Sequence, residues 1–124
     1  MTEKKRRVLL VEDSDEVRKL VALSLGHHYE VALASNAAQA MALAAAEPPD
    51  LVILDVMLPG GANGFDLLAR FRDHPVIGSA KVIMMTALDG AAERETATRL
   101  RVDDYFVKPF SPLRLVDRAR SLVP

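Results

Sequence analysis

The chain has 124 residues, half of them hydrophobic and 27% charged, and its formal net charge is -1. That length suits one domain around one core, and so small a charge provides no global field to draw nucleic acid or an anionic membrane. Cysteine is absent, which excludes disulfides and thiolate metal sites. The apolar stretch after the first seven residues is too short for a secretion signal, and no later run approaches membrane-spanning length, so a cytoplasmic location is expected.

The elements alternate along the chain. Lys4 to Arg7 form a basic run, read as a solvated tail over about residues 1–6 that protects the first strand. Val8-Leu9-Leu10-Val11 is that strand, and it runs into Glu12-Asp13. Val17, Leu20, Val21, Ser24 and Leu25 repeat at helical spacing, with Ser14 or Asp13 as N-cap and Gly26 as the stop. Tyr29 to Ala34 reads as a second strand, and Asn36 caps an alanine-rich helix that Glu47-Pro48-Pro49 ends. Leu51-Val52-Ile53-Leu54, four apolar residues without alternation, predicts a strand buried on both faces, and it delivers Asp55 to a turn. Phe65, Leu68 and Phe71 mark a third helix that Asp73-His74-Pro75 closes. Residues 80–86 form a fourth strand ending in Thr86, Asp89 opens a polar helix to about Leu100, and Asp104 to Val107 is a fifth strand leading into Lys108-Pro109. Ser111-Pro112 is the N-cap and first turn of a last helix to about Leu122. Five strands alternating with five helices over short connections predict an α/β fold: a doubly wound, five-stranded parallel sheet with helices on both faces. Residues 1–124 form a single domain on this reading.

The chemistry gathers at the carboxyl ends of the strands, where open α/β sheets build their sites. Glu12, Asp13 and Asp55 would repel one another there and raise one another's pKa values, so a hard cation held by oxygens is their natural partner. Mg²⁺ or Mn²⁺ fits that description. A carboxylate is a recognised covalent nucleophile, and phosphoryl transfer needs mainly positioning and neutralisation of charge. The Lys108 ammonium, a cation and backbone N–H groups after Asp55 could neutralise it, and the Thr86 hydroxyl could hold one phosphoryl oxygen. Lys108-Pro109 invites a cis peptide bond that aims the lysine inward. His27, His28 and His74 lack metal-ligand spacing and are read as surface residues.

These residues resemble the receiver domain of two-component response regulators over nearly the whole chain. The resemblance rests on Val8 to Asp13, on Leu54-Asp55-Val56-Met57-Leu58-Pro59, on Met85-Thr86-Ala87 and on Asp103 to Phe110. It implies the CheY-like (βα)5 fold with strand order 2-1-3-4-5. It also implies that Asp55 is the phosphoacceptor, served by a histidine kinase or a histidine phosphotransfer protein. Asp13, Asp55 and the Met57 backbone carbonyl would hold Mg²⁺ directly, with Glu12 acting through water. Lys108 would pair with the phosphoryl group, Thr86 would move toward it, and Tyr105 would turn inward in response. The family is a switch rather than a turnover enzyme, and its kinase reads the first helix, here Asp15, Arg18, Lys19 and Ala22, with Pro109 and Phe110. A downstream output protein or domain would read the fourth helix, including Glu93, Arg94 and Arg99. No direct nucleic-acid or membrane contact is implied, and the state is a monomer or a phosphorylation-dependent dimer.

Three departures stand out. The segment Pro59 to Gly64 is one residue longer than usual for this family, Arg101-Val102 replaces the common Gly-Ala, and Arg114 falls where an acid is common while Asp104 and Arg118 fit the dimer pattern. Met57 and Leu88 would flank the path of an attacking water, and neither offers it a hydrogen bond. Slow self-dephosphorylation is the expectation. The chain ends at Pro124, just after the last helix, and a stand-alone receiver is the reading preferred over an excised domain. Two other readings share the fold class. A phosphohydrolase of the haloacid-dehalogenase kind wants a second acid where Met57 stands, and a phosphorylation-independent interaction module would lose an acid, the threonine or the lysine. A nucleotide-binding reading fails for lack of a Gly-rich loop after the first strand.

Overall fold

The computed structural model describes residues 5–61, 63–88 and 90–124. Five strands alternate with five helices: β1 (Arg7–Val11), α1 (Asp15–Leu25), β2 (Glu30–Ala34), α2 (Ala37–Ala46), β3 (Leu51–Asp55), α3 (Gly64–Asp73), β4 (Lys81–Thr86), α4 (Ala91–Arg99), β5 (Asp104–Val107) and α5 (Pro112–Leu122). The strands are parallel in the order β2-β1-β3-β4-β5. The sheet is the expected one, and its boundaries fall within a residue or two of the sequence pattern.

Strand alternation divides the interior in two. Leu9, Val11, Val52, Leu54, Val82 and Met84 point to one face, where they meet Ala40, Ala44, Phe65, Leu68, Phe71 and Ala97 from α2, α3 and α4. Val8, Leu10, Leu51, Ile53, Ile83 and Met85 point to the other, against Val21, Leu25, Leu115, Val116 and Ala119 from α1 and α5. Every residue of β3 is buried, which is why its sequence shows no polar alternation. On β5, Tyr105 packs with the first cluster and Phe106 with the second.

Ser14 caps α1 by accepting the Val17 N–H at 3.4 Å, Asn36 caps α2 through Gln39, and Ser111 caps α5 with Pro112 in the first turn. The start of α4 differs from expectation. Gly90 occupies its N-cap without a side-chain bond, and Asp89 lies outside the described residues. The end of α4 is closed by an unexpected residue. Arg101 takes φ 61°, and the Val102 and Arg101 N–H groups donate to the carbonyls of Ala97 (2.9 Å) and Thr98 (3.1 Å). That is a Schellman closure with arginine in the left-handed position usually given to glycine. The Arg72 side chain braces it, donating to Leu100 O (3.1 Å), Arg101 O (2.8 Å), Gly78 O (3.0 Å) and Ala80 O (2.7 Å). Burial, with the Arg101 charge, lowers the Arg72 pKa from its usual value, partly opposed by Asp103.

The basic run at the start of the chain is tied to the sheet as far as it is described. The Arg6 carbonyl accepts from Glu30 N (3.0 Å), and Arg7 pairs with Glu47 at 3.2 Å while its N–H donates to Asp50 at 2.9 Å. Residues 1–4 of the expected tail lie outside the described residues. His74 does more than face solvent, since its Nδ1 accepts the N–H groups of Val76 and Ile77 after α3.

Candidate functional site

Register brings the acids together before any side-chain argument is needed. Val11 pairs with Leu54, so Glu12, the next residue, lies beside Asp55. Asp55 pairs in turn with Met85, and Thr86 with Val107, whose successor is Lys108. The Lys108 N–H donates to Thr86 O at 2.8 Å. Alternation also sorts the side chains. Asp55 follows Leu51 and Ile53 onto the α1/α5 face, whereas Thr86 and Tyr105 belong with Val82 and Met84 on the α4 face.

Carboxylate oxygens of Glu12, Asp13 and Asp55 lie within 4.8 Å of one another. Glu12 is fully buried and Asp55 is 5% exposed, while Asp13 faces solvent. The Lys108 ammonium reaches Asp55 Oδ2 at 2.8 Å and also bonds Glu12 Oε1. A cis peptide between Lys108 and Pro109, as expected, shapes the turn that carries it. Burial pushes the Glu12 carboxyl above its ordinary pKa; the hydrogen bond from Lys108 pulls it back and the Asp55 charge adds to the rise. Burial alone would lower the Lys108 pKa, but its bonds to Asp55 and Glu12 outweigh that and hold it above its ordinary value. The lysine is thus kept charged, and one ammonium stands against three carboxylates. An all-oxygen donor set with excess negative charge fits Mg²⁺ or Mn²⁺ and fits softer metals poorly.

Asp55 is held from behind as well. The Met57 N–H donates to Asp55 Oδ1 at 3.1 Å, while the Met57 side chain is exposed at the mouth of the site. The lengthened loop folds into a 3-10 turn over Pro59–Gly61, with Gly60 at φ 75°, and Met57 then bridges to Asn63. Ala62 lies outside the described residues. The Gly64 N–H donates to Val56 O, and a Cβ on Gly64 would sit 2.1 Å from Asp55 O. Only glycine lets α3 begin this close to the acid-bearing strand. The sequence signal for it is a glycine one residue after Asn63, which caps α3 by accepting the Phe65 N–H at 2.7 Å.

Thr86 and Tyr105 meet at one residue, Leu88. Thr86 Oγ1 accepts the Leu88 N–H at 3.2 Å, and the Tyr105 hydroxyl donates to Leu88 O at 2.6 Å. Leu88 is half-buried against the α2/α3/α4 cluster, and the Arg94 guanidinium lies 4.6 Å above the Tyr105 ring. Asp104 and Arg118, expected at a dimer surface, pair within the chain at 2.8 Å.

One placement differs from the sequence reading. Arg18, assigned to the partner-facing side of α1, turns its head back over the β1–α1 loop and is only 19% exposed along its side chain. Asp15 and Lys19 remain exposed on that helix.

The chain matches the response regulator receiver domain family over residues 8–120. It is 37% identical over 117 residues to the response regulator PleD of Caulobacter vibrioides, covering 94% of this chain and 26% of that protein. It is 38% identical over 120 residues to the probable transcriptional regulator ycf27 of Cyanophora paradoxa, covering 96% of this chain and 48% of that one. A solved putative response regulator from Chloroflexus aurantiacus superposes with a TM-score of 0.86 at 33% identity, covering 96% of this chain and 98% of its own. The chain thus spans about a quarter to a half of the length of these two curated relatives.

Proposed function

Since the chain belongs to the response regulator receiver family, we propose that Asp55 accepts a phosphoryl group from a histidine on a kinase or phosphotransfer protein. A carboxylate oxygen of Asp55 attacks phosphorus, the N–P bond to the donor histidine breaks, and the imidazole nitrogen leaves with the electron pair and takes up a proton. The single observation that carries the reading is the Lys108 ammonium at 2.8 Å from a nearly buried Asp55, inside a cluster of three carboxylates. Asp13 and Asp55, with the Met57 carbonyl and Glu12 through water, are the residues assigned to Mg²⁺ or Mn²⁺, which when bound supplies positive charge to the transferring phosphoryl oxygens. Lys108 supplies a second positive charge, and the backbone beyond Asp55 supplies donors.

The response passes through Leu88. Thr86 and Tyr105 grip the two ends of its backbone, so a Thr86 hydroxyl recruited to a phosphoryl oxygen gives up the Leu88 N–H and shifts the peptide Tyr105 holds. Phosphorylation then biases the face formed by α4 and β5, where an output protein or domain docks. The assigned setting is the cytoplasm. Met57 and Leu88 place only apolar side chains beside the water path, and the phosphoryl lifetime is expected to be minutes or longer. Decay of the purified phosphoprotein within seconds would contradict that assignment.

The test is intact mass after incubation with acetyl phosphate or phosphoramidate, with and without Mg²⁺, for the unsubstituted chain and Asp55→Asn. A single-phosphoryl gain that needs both Mg²⁺ and Asp55 is the expected result. No gain under any condition removes the phosphoacceptor reading.

A further inference from the structure

The β1–α1 loop carries two of the three acids, and a single residue holds three successive carbonyls there. The Arg18 guanidinium donates to Glu12 O at 2.9 Å and to Asp13 O at 3.4 Å, and the Arg18 backbone N–H donates to Ser14 O at 2.9 Å. Its other terminal nitrogen pairs with the Asp15 carboxylate, which keeps the planar head oriented along the loop. The guanidinium offers several donors in one fixed plane, so it can hold two carbonyls and a carboxylate at once; a lysine ammonium has no such fork. The Glu12 and Asp13 side chains spring from the peptide units so held.

We propose that Arg18 is a positioning residue for the acid cluster, setting the backbone from which Glu12 and Asp13 project and so setting the affinity of the site for a divalent cation. The proposal rests on the reading that this cluster takes Mg²⁺ or Mn²⁺. Geometry and charge make opposite demands on Arg18. As a positive charge close to the cluster it opposes cation binding, so by charge alone Arg18→Ala tightens the site and Arg18→Lys leaves it unchanged. As a brace, its loss loosens the site in both variants, because neither replacement can hold the two carbonyls and Asp15 together.

The experiment is an electron paramagnetic resonance titration of free Mn²⁺ with the unsubstituted chain, Arg18→Ala, Arg18→Lys and, as a control, Arg118→Ala, which removes an arginine of α5 paired with Asp104 of β5. Thermal unfolding without metal establishes that each variant is folded, and the Lys variant carries the test if Arg18→Ala gives no cooperative transition. The expected result is a Mn²⁺ affinity weakened by about tenfold or more in both Arg18 variants, the size usual for groups that orient metal ligands, with the control unchanged. Tighter binding by Arg18→Ala with no change in Arg18→Lys shows an effect of charge alone and overturns the proposal. Unchanged affinity in both variants overturns it as well, while leaving the metal reading intact. No Mn²⁺ binding by the unsubstituted chain overturns the metal reading and the proposal together.

Discussion

At the amino end of the sheet the acids have tight partners: Asp50 accepts the Arg7 N–H at 2.9 Å, Glu47 pairs with Arg7 at 3.2 Å, and Asp103 accepts the Val82 N–H at 2.8 Å. The Arg72 guanidinium closes the same end by binding four carbonyls. At the carboxyl end three carboxylates gather, two of them bonded to the Lys108 ammonium, and Glu12, fully buried, is held above its ordinary pKa. One end therefore lowers the free energy of the fold, while the other keeps an excess of negative charge. Sites built for charged ligands are commonly strained when empty, and the stability they give up is supplied elsewhere.

The sharpest way to break this contrast is at Arg72. Arg72→Ala removes four donor contacts, three of them part-buried, and leaves the α4 terminus unbraced, and it is expected to destabilise the protein by about 2–3 kcal/mol. Urea unfolding measures that loss. Mn²⁺ affinity should stay as it was, because the brace lies at the end of the sheet opposite the acids; a large change there would join the two ends into one unit.

A smaller effect of opposite sign is expected at Glu12. Its pKa is raised in the fold, so the folded state favours its protonated form. The stability this gives is fully present below the ordinary value of 4.5 and is lost as pH rises through the higher folded value. Glu12→Gln keeps an acceptor for Lys108 without the charge. The variant should match the unsubstituted chain in strong acid and exceed it at neutral pH by on the order of 1 kcal/mol, with weaker Mn²⁺ binding. Metal-free urea unfolding across that pH range measures it, and equal stability at neutral pH would mean that Lys108 fully offsets the burial.

The smallest effect belongs to Arg101. Its φ of 61° is strained for any residue with a Cβ, so Arg101→Gly is expected to stabilise by about 0.5–1 kcal/mol, less than the full strain because glycine also loosens the unfolded chain. Thermal unfolding resolves it. A loss of stability would mean that the Arg101 side chain contributes more than its backbone costs.

The sequence was informative wherever one residue's chemistry and its place on a strand were enough. The unbroken apolar run into Asp55 announced a doubly buried strand, and alternating strand and helix signals predicted the parallel sheet. Acids, threonine and lysine at four strand ends pointed to a common edge, because parallel strands all deliver their carboxyl ends to the same side. The caps at Asn36 and Ser111 were equally legible, and the first was narrowed to Ser14 or Asp13, since a cap acts within three residues of itself.

What the tertiary structure decided depends on where long side chains and loop backbones go. Arg18 reads in sequence as part of an exposed helix face, yet its head folds back over the loop it follows. Arg72 carries no motif, and its four acceptors lie six to twenty-nine residues away. Arg101 stands in place of an expected glycine, and only the backbone reveals that the left-handed turn is kept without it. Thr86 and Tyr105 are 19 residues apart in the chain, and their shared hold on Leu88 follows from β4–β5 register. A propensity acts on its neighbours and can be read in order; the reach of an arginine or a register-set meeting of two strands is fixed only when the whole sheet closes.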